Sequence, residues 1–432
     1  MHTALLLAAL LGAPLTRPFG PPSPQGEGSI AVFRASGFPT VDAPAIPDQV
    51  LEEALAGLPV VSLDELRQAR LLMLPYGSAF PLDAWPKIRD FVKHGGSLVV
   101  LGGAPFHQPV LRTPDGWRLG VRNPAFAHAF LIGPAEPVNV TPDLRTALSE
   151  NSWSLPIEQA HTVWELTLRL GTQADSPDEP GAQAEREAVA RPLVHLIDAG
   201  GIPRACPLIE IDRLRGDDAG ARWIFATSDA PLSAGVVRAI VLRALEGASD
   251  LTAIPENASV EPGEIPVIRI STKSANLIVR DDAGREVDRA SATEGVGEIR
   301  KPLKPGLYHV EVTAGTRTVT TGFWVRDAAL LSRGPQVTVS RDWLRRDGKV
   351  FPIIGTTYMA SDVHRHFLFQ PNPHVWDRDF DRMSRLGINF VRTGLWTGWS
   401  RIDESALRAL DAYVQTAAKH NIIVCFTFFA FL

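Results

Sequence analysis

The chain has 432 residues, of which 45% are hydrophobic and 21% charged, and its formal net charge is −5. This length suits two to four globular domains. The charge gives no basic footprint for nucleic acid or an anionic membrane, so these partners are excluded. Only Cys206 and Cys425 occur, so neither a disulfide framework nor a cysteine metal cluster is expected. No motif calls for a cofactor.

Residues 1–28 form a separate N-terminal segment. An apolar run from Ala4 to Ala13 is followed by a stretch rich in proline and glycine. The run is too short for a transmembrane helix and suits the apolar core of a signal peptide, although His2 is the only basic residue before it. We therefore expect export to the periplasm or the extracellular space and no membrane span. The alternative is a simple apolar arm.

Residues 29–250 show the pattern of an α/β domain. Apolar runs predict strands at 30–33, 71–74, 97–101, 193–197, 206–211 and 222–227, and spaced apolar residues predict helices at 81–94 and 232–246. This pattern resembles the glutamine-amidotransferase-like, flavodoxin-type domain that accompanies the barrel in some bacterial β-galactosidases. The resemblance implies a flavodoxin-like fold.

An amidotransferase needs a thiolate on a tight strand-to-helix turn and a histidine base. The turn at 102–105 has neither cysteine nor serine, and Cys206 lies in a short apolar strand, which is typical of a buried small side chain. Ser78 follows Tyr76 and Gly77, but the glycine that a nucleophile elbow requires after the serine is missing. The domain is therefore predicted to be non-catalytic, with an amidotransferase-like enzyme that uses Cys206 kept as an alternative.

Residues 251–333 change to a β composition. Short strands are predicted at 267–271, 276–280, 306–313 and 316–325, separated by glycine-containing turns. The spacing favours a small β-sandwich of immunoglobulin-like type that packs the first domain against the C-terminal one. A sugar-binding module is the functional alternative.

Residues 334–432 alternate strictly between strand and helix. Strands are predicted at 350–358, 388–396 and 422–431 and helices at 375–386 and 404–420, with Trp376, Phe380 and Met383 facing inward in the first helix and Leu407, Leu410, Val414 and Ala418 in the second. Polar and aromatic residues follow the strand ends, and no glycine-rich phosphate turn is present. This favours a (β/α)₈ barrel over an open doubly wound sheet.

Two stretches carry a resemblance to a known clan. Asp347 to Gly355 has a first-strand pattern, and Leu386 to Arg392 runs from a helix end through glycine to a strand with a terminal arginine. Residues 345–432 are thereby similar to the start of the catalytic barrel of retaining glycoside hydrolases, the clan of cellulases, mannanases and β-galactosidases. The resemblance implies a carbohydrate substrate, and it implies that Arg392 orients the nucleophile carboxylate.

Further residues near the strand ends are predicted to bind or support the substrate. Trp396 and Trp399 offer flat apolar faces that stack on a pyranose, with core packing as the rival interpretation. The other predicted members of this site are Tyr358, Asp362 and His364.

No metal site is predicted. The run at 361–366 has two histidines but no evident third and fourth ligand. Asp377, Asp379 and Asp381 resemble part of a calcium loop, but the sixth position is Arg382 and the twelfth is Ile388, so they are interpreted as the first turn and outer face of a helix.

A retaining glycosidase needs two carboxylates about 5 Å apart, which in this clan follow the fourth and seventh strands. The catalytic pair is therefore expected beyond Leu432, and the chain is expected to be the N-terminal piece of a glycoside hydrolase, truncated in the third strand, inactive alone and prone to aggregate. The alternatives are a non-catalytic surface protein that binds carbohydrate or partners, and the amidotransferase-like enzyme. Homo-oligomer formation through the N-terminal domain stays open.

Overall fold

The computed structural model describes residues 28–148, 155–168, 188–214, 218–315, 317–360, 363, 367–394 and 402–428. These residues divide into two compact units, the first ending at Ser249 and the second beginning at Asp250. The architecture is mixed α/β and rich in sheet. None of the helices in the described part of the chain has the length and apolar character needed to span a bilayer.

The first unit contains one large sheet, two small sheets and three α-helices. Its strands are β1 (Ile30–Val32), β2 (Val60–Ser62), β3 (Leu71–Leu74), β4 (Ala79–Pro81), β5 (Ser97–Leu101), β6 (Gln108–Thr113), β7 (Gly116–Leu119), β8 (Ile132–Asn139), β9 (Arg145–Leu148), β10 (Thr162–Leu168), β11 (Ala188–Ile197), β12 (Pro203–Arg213) and β13 (Arg222–Ala226). Its helices are α1 (Asp48–Ala54), α2 (Trp85–Lys93) and α3 (Ala234–Leu245).

The large sheet has the order β2-β1-β3-β5-β13-β12-β11-β9. The first five strands are parallel, and β12, β11 and β9 continue the sheet antiparallel. Counted along the chain, the parallel strands lie in the order 2-1-3-4-5. The small sheets are β4-β6-β7 and β8-β10.

Helices cover both faces of this parallel sheet. Ile30 packs on the side of α1 and α3, together with Leu51 and Val237. Its neighbour Ala31 packs on the side of α2, together with Ile88. Alternate strand residues point to opposite faces, so continuous apolar strands build two cores and a three-layer unit.

The second unit contains a curled sheet, two three-stranded sheets and three helices. Its strands are β14 (Ala253–Pro255), β15 (Ser259–Val260), β16 (Val267–Ile270), β17 (Ser274–Asp281), β18 (Glu286–Thr293), β19 (Val296–Glu298), β20 (Gly306–Ala314), β21 (Arg317–Val325), β22 (Val337–Val339), β23 (Leu344–Arg346), β24 (Lys349–Val350), β25 (Gly355–Thr357), β26 (Phe390–Gly394) and β27 (Ile423–Thr427). Its helices are α4 (Ala328–Ser332), α5 (Pro373–Arg385) and α6 (Glu404–Lys419).

The strands predicted as a sandwich form one hydrogen-bonded sheet of eight strands, in the order β14-β16-β19-β18-β17-β20-β21-β15. The sheet curls around one apolar core, which Ile268, Leu277, Val310 and Phe323 share. The sequence predicts two facing sheets, whereas the structure has a single sheet that curls around its own core.

Strands β25, β26 and β27 form a parallel sheet in chain order. Both connecting helices cover the same face, where Val391 of β26 packs with Phe380 of α5 and Tyr413 of α6. The strand predicted at 350–358 is reduced to β24 and β25, because Pro352 cannot donate a backbone hydrogen bond and interrupts the ladder.

The predicted inward face of α6 is correct only in part, because Leu410 packs against the core and Leu407 does not. Leu407 is 53% exposed, whereas Ala409, Tyr413, Gln415 and Thr416 are fully buried. The helix lies between the parallel sheet and the curled sheet, so it buries two sides, and small and polar residues form the side that meets the curled sheet.

Candidate functional site

Arg392 lies in the middle of β26 and faces away from the helices. Its neighbours Val391 and Thr393 are fully buried, and successive strand residues point to opposite faces. Arg392 is exposed, and its Nε donates a hydrogen bond of 3.3 Å to Oγ1 of Thr427, at the end of β27. The guanidinium thus lies on the open face of the parallel sheet.

The register places Thr357, Arg392 and Cys425 side by side across this open face. Within the described ranges, Arg392 has a hydrogen-bond partner but no ion-pair partner. A guanidinium keeps its charge at any pH of interest and binds carboxylates in a two-pronged geometry. This face is therefore chemically suited to hold an anionic side chain or ligand.

Tyr358 lies on the opposite side of the sheet from Arg392. Its ring packs against Phe380 and Tyr413, and its hydroxyl donates to Oδ2 of Asp379 at 2.8 Å. Only 7% of the residue is exposed. The structure therefore does not bring Tyr358 together with Arg392, and the contacts of Tyr358 hold α5 on the sheet.

Four other residues of the predicted site lie outside the described residues. They are Trp396, Trp399, Asp362 and His364. Their assignment to a substrate site stays a prediction. Leu432 also lies outside the described residues, and the catalytic carboxylates expected beyond it stay a prediction in the same way.

A polar cluster covers part of the carboxyl edge of the parallel sheet in the first unit. Ser78 follows β3 and is fully buried. Its hydroxyl donates to Oδ2 of Asp42 at 2.5 Å and accepts from the backbone N–H of Ala104 at 2.6 Å. Arg122 lies 2.8 Å from the same Asp42 oxygen. The cluster joins the loops that follow three neighbouring strands.

Gly103 in the loop after β5 shows how tightly this edge is packed. It has φ +65°, and a Cβ built there would lie 2.5 Å from Oγ of Ser78. In parallel α/β sheets the crevice at this edge is the usual place for a ligand. Around Gly103 side chains fill this edge, and the Ser78 hydroxyl uses both its proton and its oxygen in hydrogen bonds.

Cys206 lies in β12, where its Sγ donates to the carbonyl of Leu208 at 3.0 Å. Burial raises the pKa of its thiol to about 12. A cysteine nucleophile needs the opposite shift, because the thiolate is the reactive form.

A cluster of ionisable side chains lies where the curled sheet meets α5 and α6. We call it the junction cluster, and its members are Asp282, His309, His374, Asp377, Lys419 and His420.

Asp377 is at the centre of the junction cluster. Its Oδ1 accepts from Nζ of Lys419 and from Nε2 of His420, both at 2.7 Å. Lys419 also donates to Asp282. The Oδ2 atom of Asp377 lies 3.9 Å from Nε2 of His309, whose Nδ1 lies 3.0 Å from Nδ1 of His374.

The pKa values of the cluster follow from burial and from these bonds. Burial pushes the pKa of Asp377 upward, but hydrogen bonds from His420 and Lys419 outweigh it and lower that pKa to about 2. Burial, assisted by the nearby His309, lowers the pKa of His374 to about 4. Burial also lowers the pKa of His309. Two bound carboxylates raise the pKa of Lys419 despite its burial.

The prediction that Asp377 and Asp379 lie on the outer face of their helix is wrong. Each has only 16% of its side chain exposed. Asp377 accepts a hydrogen bond from Lys419 of α6, and Asp379 accepts one from the hydroxyl of Tyr358. Spacing within one helix could not reveal these contacts, because their partners lie elsewhere in the chain. Asp381 does lie at the surface, where it pairs with Arg385.

No protein-family profile and no curated protein matches the sequence. Among solved structures, a GH42 beta-galactosidase, Gan42B, is similar with 13% identity and a TM-score of 0.33, over 64% of this chain and 40% of that chain. A beta-D-glucuronidase from Dictyoglomus thermophilum is similar with 16% identity and a TM-score of 0.18, over 42% of this chain and 29% of that chain. The chain thus spans about two fifths of the first of these proteins. TM-scores this low do not establish a common fold.

Proposed function

We propose that this chain is the N-terminal part of a retaining glycoside hydrolase. The observation that carries the proposal is the winding of the last sheet. Strands β25, β26 and β27 follow one another in space as they do in sequence, and both helices between them cover one face. That is the winding of a (β/α)₈ barrel, whereas a doubly wound sheet reverses its order and carries helices on both faces.

In this proposal Arg392 holds the nucleophile carboxylate inside the barrel. Its support is the exposed guanidinium on the face that a closed barrel would enclose, with no acidic partner among the described residues. The acid/base and nucleophile carboxylates belong to further polypeptide that completes the barrel. A carboxylate that binds a fixed guanidinium stays ionised, as a nucleophile must.

The first unit is proposed to be a flavodoxin-type domain without catalytic activity. The strand order 2-1-3-4-5 with helices on both faces is the order of flavodoxin-type sheets and supports this assignment. The buried Ser78 and the raised pKa of Cys206 support the absence of nucleophilic chemistry. We further propose export through residues 1–28, supported only by their composition, and self-association through this unit, which size measurement of the purified chain would test.

The test compares the 432-residue chain with the product of its full open reading frame on a panel of aryl glycosides. We expect hydrolysis with retention of configuration by the full product and none by the 432-residue chain. In the full product, Arg392→Ala should lower kcat/KM by roughly 100-fold, because the nucleophile is no longer held in line. The kcat/KM of Arg392→Lys should lie between that of the unchanged enzyme and that of Arg392→Ala. Lysine keeps the positive charge but loses the two-pronged geometry of the guanidinium.

The matched control is Arg385→Ala, which removes an exposed arginine at the end of α5. It should leave kcat/KM unchanged. Hydrolysis by the 432-residue chain alone, or a full product that does not cleave any aryl glycoside, would overturn the proposal.

A further inference from the structure

The junction cluster brings two carboxylates together around one ammonium group. Asp282 and Asp377 contribute two negative charges, and Lys419 contributes one positive charge. The two carboxylates thus already share one cation, and a positive charge is favoured at this half-buried position.

One gap in the cluster is too wide for a hydrogen bond. Nε2 of His309 and Oδ2 of Asp377 are 3.9 Å apart, and N–H···O bonds are typically about 2.7–3.2 Å long. Two ligands on one tetrahedral zinc ion, each about 2.0–2.1 Å from the metal, are separated by roughly 3.4 Å. The gap is therefore close to the separation of two atoms that share a zinc ion.

The third side chain is supplied by the turn after β17. The ligand atoms of Asp282, His309 and Asp377 all lie within 4.8 Å of one another. Half of the Asp282 side chain is exposed, 49%, so an ion can reach the cluster from solvent. One imidazole and two carboxylates, with a position left for water, form a ligand set that zinc accepts.

A neighbouring histidine already orients the imidazole. The two Nδ1 atoms of His309 and His374 are 3.0 Å apart, so one of them donates and the other accepts. When Nδ1 of His309 donates, its Nε2 presents a lone pair toward Asp377. Metal-bound histidines are commonly fixed in this way by a hydrogen bond at their other nitrogen.

We propose that the junction cluster is a binding site for a zinc-type divalent cation, held by Nε2 of His309 and the carboxylates of Asp377 and Asp282. His374 is a positioning residue. Lys419 is the resident cation, and its ammonium between the two carboxylates competes with the metal. It is the last residue of α6, and its flexible side chain can turn toward solvent when the metal enters.

The site is independent of the proposed glycosidase activity. It would join the curled sheet, through Asp282 and His309, to helix α5, through Asp377. Bound metal is therefore expected to stabilise the second unit, because it binds the folded junction and not the unfolded chain.

The experiment is a titration of zinc chloride into the tag-free, metal-stripped 432-residue chain near neutral pH, followed by calorimetry. Cobalt(II) absorption reports a tetrahedral site in parallel. We expect Lys419→Met to bind one zinc ion roughly tenfold more tightly than the unchanged chain, because the competing ammonium is gone. His309→Gln, and His309→Gln in the Lys419→Met background, should lose this ion and its cobalt bands. His374→Gln should weaken binding by roughly 10- to 100-fold.

The control is His161→Gln, which removes an exposed histidine of the first unit and should not change the titration. Circular dichroism verifies that each variant is folded. The proposal is overturned if Lys419→Met binds zinc no more tightly than the unchanged chain, or if a folded His309→Gln variant binds zinc as the unchanged chain does.

Discussion

At the residue scale, the Ser78 hydroxyl links three loops of the first unit. It donates to Asp42 in the loop after β1 and accepts from Ala104 in the loop after β5, while Ser78 itself follows β3. All three loops leave the same edge of the parallel sheet. A buried hydroxyl with both capacities used contributes to stability and leaves no free group for chemistry.

We expect Ser78→Ala to lower the free energy of unfolding of the first unit by about 1–3 kcal/mol. The change leaves the buried N–H of Ala104 without its acceptor and removes one donor from Asp42. Urea unfolding followed by circular dichroism measures the difference. Ser36→Ala, at an exposed position, serves as the control. Equal stability of the two variants would show that the cluster does not hold the loops.

The sequence predicts Arg392 and Tyr358 in one site, but their side chains lie on opposite faces of the parallel sheet. The sequence predicts that Arg392 belongs to a substrate site, and the structure places its guanidinium on the open face of the parallel sheet, while its role stays a prediction. The same reasoning assigns Tyr358 to that site because it follows a strand, but Tyr358 lies in the row of Thr393, on the helix side. The face of a residue depends on the strand register, and the sequence of a single strand does not contain that register.

At the scale of elements, helix α6 is held by polar contacts on its buried side. Nε1 of Trp324 donates to Oγ1 of Thr416 at 2.8 Å, and the backbone N–H of Asp327 donates to Oε1 of Gln415 at 2.7 Å. Nε2 of Gln415 donates to Oδ2 of Asp411 at 2.9 Å. The Gln415–Asp411 bond lies within α6, but Oγ of Ser259 in β15 donates to the same Asp411 oxygen at 2.6 Å. The bonds from Ser259, Trp324 and Asp327 fix the helix on the curled sheet, since each fits only one placement.

Gln415→Leu is therefore expected to destabilise the second unit although it adds an apolar side chain to a buried position. It leaves the N–H of Asp327 unsatisfied and removes a donor from Asp411, at a cost of about 1–3 kcal/mol. Leu407→Ala removes an exposed apolar side chain and should change stability by no more than about 0.5 kcal/mol. Thermal unfolding compares the two variants, and the reverse ranking would contradict this account of α6.

The sequence predicts the element types in the second unit well, because strand and helix periods are local. It predicts α5 at 375–386 and α6 at 404–420, within a few residues of Pro373–Arg385 and Glu404–Lys419. It does not predict the buried side of α6. That side depends on a second packing partner, the curled sheet, and an apolar period identifies only a single apolar face.

At the scale of the whole molecule, stability should depend on pH through the junction cluster. His374 has a pKa of about 4 in the folded chain, against 6.5 when unfolded. Between these values the unfolded chain binds a proton that the folded chain does not, so acid favours unfolding. Asp377, with its pKa lowered to about 2 from 3.8, adds a further loss at lower pH.

We expect the free energy of unfolding of the second unit to fall by up to about 3 kcal/mol as the pH is lowered from 6.5 to 4. Calorimetric unfolding across this range measures the fall. His374→Gln should flatten the profile, because the buried group no longer titrates. His128→Gln, at an exposed position of the first unit, should not. An unchanged profile in His374→Gln would assign the pH dependence to other groups.

The sequence does not predict which distant segments of the chain pair or contact one another. The α/β pattern of the first unit is visible in its apolar runs, but the antiparallel extension by β12, β11 and β9 is not, because strand order depends on pairings between distant segments. The junction cluster also depends on contacts between distant segments. Its six members come from four separate segments, and no short spacing connects His309 with Asp377.

The packing of α5 and α6 on the curled sheet bears on how the polypeptide is synthesised. The curled sheet precedes both helices in the chain, so a ribosome delivers their docking surface before it delivers them. Each helix can therefore pack on the curled sheet as soon as it leaves the ribosome. The strands of the parallel sheet are then added one at a time against these helices. The hydrogen bonds of Gln415 and Thr416 with the end of the curled sheet then set the orientation of α6, and with it that of the growing parallel sheet.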